Sequence, residues 1–190
     1  MKALLMLVAL PVTSAADFQG ILDHMRSEQA VPGAAAVVVS GGTAQFLGAS
    51  GLADLETGRQ VTADTRFYIG SLSKVLTAAL VLDLVANGAV VLDDPVPSIP
   101  ADVVRVRDLL AHASGLEREG DFGYWYSGRF PSSEALRTYL ADAELRFEPG
   151  TEGHYSNVGY AALGLELERA LGKPYPALLA DRLLAPLGMT

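Results

Sequence analysis

Two short constellations in this 190-residue sequence hold side chains that could do nucleophilic chemistry together. The first is Ser71 with Lys74, in Phe67-Tyr68-Ile69-Gly70-Ser71-Leu72-Ser73-Lys74. A serine hydroxyl needs a base before it can attack. A lysine held in a poorly solvated place can lose its proton near neutral pH and serve that role, or it can hold a partner in position. The second is Tyr155-Ser156-Asn157, which follows the turn signal Pro149-Gly150. A phenol can pass a proton when a neighbouring ammonium lowers its pKa. Asn157 can donate to a substrate carbonyl while accepting from Lys74. Taken singly, each has a plainer reading: an N-cap serine with a solvated lysine, and a packed tyrosine followed by a capping asparagine. Together they are harder to dismiss.

The elements that must position these residues are legible around them. Gly70 punctuates the chain and an apolar run follows at once, so the spacing predicts a helix over 72–87 with Ser71 at its N-terminus. There the macrodipole and the free backbone N–H groups favour developing negative charge. Lys74 stands one turn later on the same face. With Leu72, Val75, Leu76, Leu80, Leu82 and Leu84, that helix is apolar nearly all round, which predicts burial in the core. Upstream, Phe18, Ile21, Leu22 and Met25 recur at helical spacing near residues 17–29. Runs at 33–39 and 44–52, joined through Gly41-Gly42, predict two antiparallel strands. Helices are further expected over 106–112, over 133–143 with Ser132 or Ser133 as N-cap, over 157–171 and over 175–187.

Composition narrows the classes. Hydrophobic residues make up 50% and charged residues 19%, enough apolar material for a real core in one domain. A net charge of −8, from 14 basic against 22 acidic residues, offers no positive field for a phosphate backbone and excludes nucleic acid as a partner. The absence of Cys excludes thiolate zinc sites, cysteine nucleophiles and disulfides. Lys2, the apolar run over 3–10, Pro11 and Thr13-Ser14-Ala15-Ala16 read as a secretory signal peptide over 1–15, with cleavage near Ala15 or Ala16. The apolar run is too short to span a bilayer, so no stable membrane anchor is expected. A GxSxG elbow and a P-loop are both missing. His24 and His154 are expected at the surface.

The two motifs, with the segments between them, resemble the serine β-lactamase and penicillin-binding-protein family, closest to its class C β-lactamase, D-Ala-D-Ala carboxypeptidase and esterase branch. The resemblance rests on Ile69-Gly70-Ser71-Leu72-Ser73-Lys74 for the SxxK motif and Tyr155-Ser156-Asn157-Val158-Gly159-Tyr160 for YxN. Leu92-Asp93-Asp94-Pro95-Val96, Asp108-Leu109-Leu110-Ala111-His112-Ala113-Ser114-Gly115-Leu116 and Leu184-Ala185-Pro186-Leu187-Gly188-Met189 follow in the family's order. It implies an α+β, β-lactamase/transpeptidase-like fold, a helical cluster packed with an antiparallel sheet that is incomplete in this chain. It also implies catalytic Ser71, Lys74 and Tyr155, substrate-binding Asn157, and no metal or organic cofactor. Ser71 would be acylated and would offer one oxyanion-hole N–H, Lys74 would activate it, Tyr155 would carry protons, and His112, matching a loop element that shapes the family's fold, would be structural.

The substrate would be a small molecule or peptide: a β-lactam, a D-alanyl-D-alanine peptide or a small ester. The protein would be exported, to the periplasm or beyond, and its oligomeric state is left open. The alternative is a non-catalytic protein that holds a cell-wall peptide or penicillin in a β-lactamase-like pocket. Two departures stand out. Gly153 replaces the family's large aromatic two residues before the tyrosine. No Lys-Thr-Gly, Lys-Ser-Gly or His-x-Gly strand follows Asn157, so residues 16–190 read as the N-terminal part of a longer domain, with the isolated chain expected to be loosely packed and inactive. The Gly123-Tyr124-Trp125-Tyr126 stretch is expected to form one lip of the pocket.

Overall fold

A computed structural model describes residues 14–99, 104–120 and 122–189. The expected leader lies outside them as far as residue 13. The chain forms two compact units, one ending at Tyr68 and the other starting at Ile69, and the fold is α+β.

The first unit is a helix on a small open sheet. Helix α1 (Ala15–Glu28) begins with a capping box: the Ser14 side chain accepts from the Asp17 N–H while the Asp17 carboxylate receives the Ser14 N–H. Strands β1 (Gly33–Ser40) and β2 (Thr43–Asp54) pair antiparallel, with a bulge between Val38 and Val39. Val38 and Phe46 are cross-strand partners, and Phe18 of α1 stacks on Phe46 at 5.5 Å. Polar pins fix the helix to β2: Gln19 Nε2 donates to the Ala49 carbonyl at 3.1 Å, and Arg26 Nε donates to Ser50 Oγ at 2.8 Å. The two expected strands are present. A third, β3 (Arg59–Gln60), is too short to show alternation, and it pairs with the end of β2 across a turn in which Asp54 accepts from the Glu56 and Thr57 N–H groups.

The second unit is helical, and its core is apolar. Helix α2 (Leu72–Ala86) packs against α6 (Asn157–Leu171) and α7 (Tyr175–Leu179), while α3 (Val106–Leu110) and α5 (Ser133–Ala141) pack on α6. Leu80, Val81, Leu84, Leu109, Leu140 and Leu163 are all fully buried or nearly so. α4 (Tyr124–Ser127), a single turn set between the left-handed Gly123 and Gly128, was not expected from the sequence. The helix expected over 175–187 instead stops at Leu179 and continues as a π-helical turn, Ala180–Leu184, closed by the Ala185 N–H on the Ala180 carbonyl at 2.9 Å. Among the described residues no helix is long and apolar enough to cross a membrane.

The burial expected all round α2 is corrected by the structure. Thr77, Leu80, Val81 and Leu84 form the buried face, whereas Leu72 and Val75 are each 65% exposed and Leu82 is 54% exposed. A uniformly apolar helix carries no moment to say which face is covered, so composition alone could not tell the two apart.

α3 ends two residues earlier than expected because His112 stops it. His112 has φ 59°, and the Ala113 N–H reaches back to the Asp108 carbonyl at 2.7 Å while the His112 N–H reaches Leu109 at 3.3 Å. This is a Schellman stop, whose left-handed position is usually glycine. The chain then runs beside the segment leading into α6, through Arg146 N–H to the Gly115 carbonyl, Gly150 N–H to Ala113 and His154 N–H to His112, each at 2.8 Å. Gly115, at φ 81°, has no room for a side chain, since a Cβ would lie 2.5 Å from the Phe147 carbonyl oxygen.

Two outcomes follow. Leu163→Ala should lower stability by about 2–5 kcal/mol through transfer and cavity terms, read as a fall in urea midpoint at constant m-value. Burial, and then the charge of Lys74, hold the His112 pKa below its usual value. As pH falls below the ordinary histidine range the unfolded chain therefore takes up a proton that native His112 refuses. Stability declines until the folded ring is itself protonated. His112→Asn, which tolerates a left-handed backbone and does not titrate, should lose less stability between about pH 7 and about pH 5. Equal acid sensitivity in the two proteins would contradict this.

Candidate active site

All four residues singled out in the sequence lie in the second unit, and the structure brings them into one cluster. Gly70, at φ 53°, turns the chain into α2. Ser71 occupies the N-cap position with αR torsions and makes no side-chain cap bond, so its hydroxyl is not spent on the helix. That hydroxyl accepts a hydrogen bond from Tyr155 Oη at 2.6 Å. The plainer reading of Ser71, a capping serine, does not describe this geometry.

Lys74, half-buried one turn along α2, donates to Asn157 Oδ1 at 2.5 Å. Its ammonium also lies 4.8 Å from the centre of the Tyr155 ring and 5.6 Å from that of Tyr160. Asn157 is the first residue of α6 and does not cap it. The cap is Ser156, 1% exposed, whose Oγ accepts from the Gly159 N–H at 2.8 Å and donates to the Glu117 carbonyl at 2.5 Å. The Ser156 N–H donates to His112 Nδ1 at 3.1 Å, and the His112 ring lies 4.5 Å from Tyr155 and 4.9 Å from Tyr160. Gly153 has open space where a side chain would stand. In its place, His112 anchors the tyrosine loop. His112 thus has the structural part expected of it, and His24 and His154 are exposed.

The electrostatics separate the two tyrosines. Burial pushes the Tyr155 phenol up, but Lys74, the hydrogen bond to Ser71 and the charge of Arg118 together outweigh it, and the net pKa is lowered. Arg118 stacks its guanidinium 5.2 Å from the Tyr155 ring centre. Tyr160, which donates to the Leu110 carbonyl at 3.0 Å, is raised by burial and by the nearby Tyr155. Of the two phenols, Tyr155 is therefore the one suited to exchange a proton with a hydroxyl.

One carboxylate at the site escaped sequence reasoning. Asn157 Nδ2 stands 2.9 Å from both oxygens of Glu119. Glu119 also receives Arg118 Nε at 2.9 Å and the Tyr124 hydroxyl. One of the two N–H groups on the donor side of Asn157, the side expected to face a substrate carbonyl, is thus engaged by a side chain 38 residues away. Tyr124 joins the site through this carboxylate and stacks on Phe130 at 5.4 Å, while Tyr126 is fully exposed. Nothing in the spacing of Glu117-Arg118-Glu119 marks which of its charges turns inward.

Comparison with known proteins agrees with the geometry. Residues 18–190 match the β-lactamase family model. Esterase EstB of Burkholderia gladioli is 35% identical over 92% of the chain and 50% of that protein. Penicillin-binding protein 4 of Amycolatopsis lactamdurans is 37% identical over 92% and 48%. Among solved structures, SurE superposes with a TM-score of 0.80 at 34% identity, covering 92% of this chain and 39% of that one. The chain spans about half the length of the relatives it matches. By its match across nearly the whole sequence, the chain belongs to the β-lactamase family, the superfamily of serine β-lactamases, penicillin-binding proteins and D-Ala-D-Ala carboxypeptidases.

Proposed function

We propose that the protein is a serine hydrolase that works through an acyl-enzyme on β-lactam, D-alanyl-D-alanine peptide or small ester substrates. The observation that carries this reading is the 2.6 Å contact between Tyr155 Oη and a Ser71 hydroxyl that caps nothing. As a phenolate, favoured by Lys74 and Arg118, Tyr155 takes the Ser71 proton while Oγ bonds to the carbonyl carbon. The resulting oxyanion forms beside the N-terminus of α2, where the backbone N–H groups and the helix dipole favour negative charge. Collapse of the intermediate expels the leaving group, which recovers the proton from Tyr155 and leaves Ser71 esterified. Water then enters by the same path, gives its proton to Tyr155 and releases the acid, and the proton returns to Ser71. Lys74, fixed by Asn157, supplies the charge that holds the phenol in its reactive form.

Export is part of the same proposal. Residues 1–15 act as a leader, and the protein works outside the cytoplasmic membrane. Removal after Ala15 takes away the Ser14 cap of α1, ordinarily worth about 1 kcal/mol, so the mature helix should fray at its first turn.

Brief exposure of the complete protein to a penicillin or an activated ester should add one acyl mass, and Ser71→Ala should abolish the adduct. Persistence of the adduct in that variant would remove Ser71 from its role. Binding without any adduct in the wild type would favour the non-catalytic reading. Lys74→Ala and Tyr155→Phe should each slow acylation by at least about 10², measured by stopped flow, and near-normal rates in both would point to another base. N-terminal sequencing of the exported protein should begin at Ala16 or Asp17, and recovery of intact Met1 from the cytoplasm would refute export.

A further inference from the structure

The site holds a carboxylate that the hydrolase mechanism above does not use. Glu119 is partly buried, with 28% of its side chain exposed, and it meets Asn157, Arg118 and Tyr124 at once. The order Lys74–Asn157–Glu119 is dictated by chemistry. An ammonium only donates and an ionised carboxylate only accepts, so the amide between them satisfies both in one orientation alone, Oδ1 to Lys74 and Nδ2 to Glu119. The opposite orientation would set N–H against N–H on one side and oxygen against oxygen on the other. Lys74 by itself calls for Oδ1, and Glu119 reinforces that choice by holding the amide at its other end.

The same contact bears on what the site accepts. A substrate with an acylamino group beside its scissile carbonyl presents a second carbonyl oxygen, which needs a donor such as the Asn157 N–H. In this protein one of the two Nδ2 hydrogens is directed at a carboxylate, and the charge of that carboxylate, lying beside the other hydrogen, repels an incoming carbonyl oxygen. An acyl group carrying only alkyl substituents or a free amine makes no such demand. We infer that Glu119 is a positioning and specificity-determining residue, which fixes the Asn157 amide and turns the site toward acyl groups without an acylamino carbonyl. The inference rests on the serine-hydrolase reading for its substrates, but not for the orientation of Asn157.

The test, made in the complete protein, uses two ligands that differ only in the group concerned: benzylpenicillin, which carries an acylamino side chain, and 6-aminopenicillanic acid, the same nucleus with a free amine. In Glu119→Gln, the neutral amide keeps an acceptor for Asn157 and adds a donor. The ratio of kcat/KM for benzylpenicillin to that for 6-aminopenicillanic acid should therefore rise about fivefold, the usual worth of one neutral hydrogen bond. Glu119→Ala frees the Asn157 N–H outright and should move the ratio the same way, while lowering kcat on both substrates because the amide is no longer held. A purely structural role for Glu119 would lower both rates and leave the ratio where it was, and an unmoved or falling ratio in both variants overturns the inference. The ratio of Kd values for the same two ligands, compared between Ser71→Ala and Ser71→Ala/Glu119→Gln, reads the preference without turnover. If the wild type is acylated by neither ligand, the hydrolase reading falls, and the Kd ratio still decides the role of Glu119.

Discussion

The backbone at Ser156 is the constraint on which the site depends. Ser156 is almost completely buried, and its polar groups must be paired there. Its N–H finds His112 Nδ1, and its hydroxyl finds the Glu117 carbonyl and the Gly159 N–H. The next N–H, of Asn157, is received by the Arg118 carbonyl at 2.8 Å. These bonds tie the start of α6 to the stretch that follows α3, and so leave Tyr155 and Asn157 no freedom to move independently. Buried polar groups of this kind cost roughly 1–3 kcal/mol each when unpaired. Any shift of the loop that broke two of them would compare with a sizeable part of a domain's net stability.

Given that anchor, the charges organise themselves around one phenol. Lys74 and Arg118 both approach the Tyr155 ring, and each favours a negative oxygen at its tip. The Lys74 charge is in turn balanced through Asn157 by Glu119, so the cluster is an ammonium, an amide and a carboxylate in series, not an isolated cation. His112, packed against both tyrosines and held neutral by burial and by Lys74, adds an aromatic wall without a competing charge.

The sequence was most informative where chemistry and periodicity coincide. Ser71 and Lys74 are one helical turn apart after a glycine, and the helix that carries them follows from its apolar run. The hairpin of β1 and β2 was legible for a similar reason, since a small and β-branched run and a Gly-Gly turn are local signals. What escaped was set by tertiary contact. The two-residue β3 has no pattern of its own, the exposed face of α2 is as apolar as the buried one, and the partnership of Glu119 with Asn157 joins residues with no sequence relation. α7 was read as long because its residues suit a helix, whereas the observed π turn depends on how the following backbone closes.

His112 shows how such a long-range relation can still leave a local trace. The end of α3 calls for a left-handed residue, and glycine meets that need at least cost. A histidine there gives up backbone energy, so its ring must return something that glycine cannot. The return is visible: one hydrogen bond from the buried Ser156 N–H, and aromatic contacts with Tyr155 and Tyr160. Ser71 is the converse case. A residue well suited to cap α2 leaves the cap unmade and offers its hydroxyl to Tyr155. In both places a residue departs from the best local choice, and in both the departure is explained only by the cluster around Tyr155. Local misfits of this kind concentrate where a fold gives up stability for a site. For this chain they mark the same few ångströms from opposite sides, one from the end of α3 and the other from the start of α2.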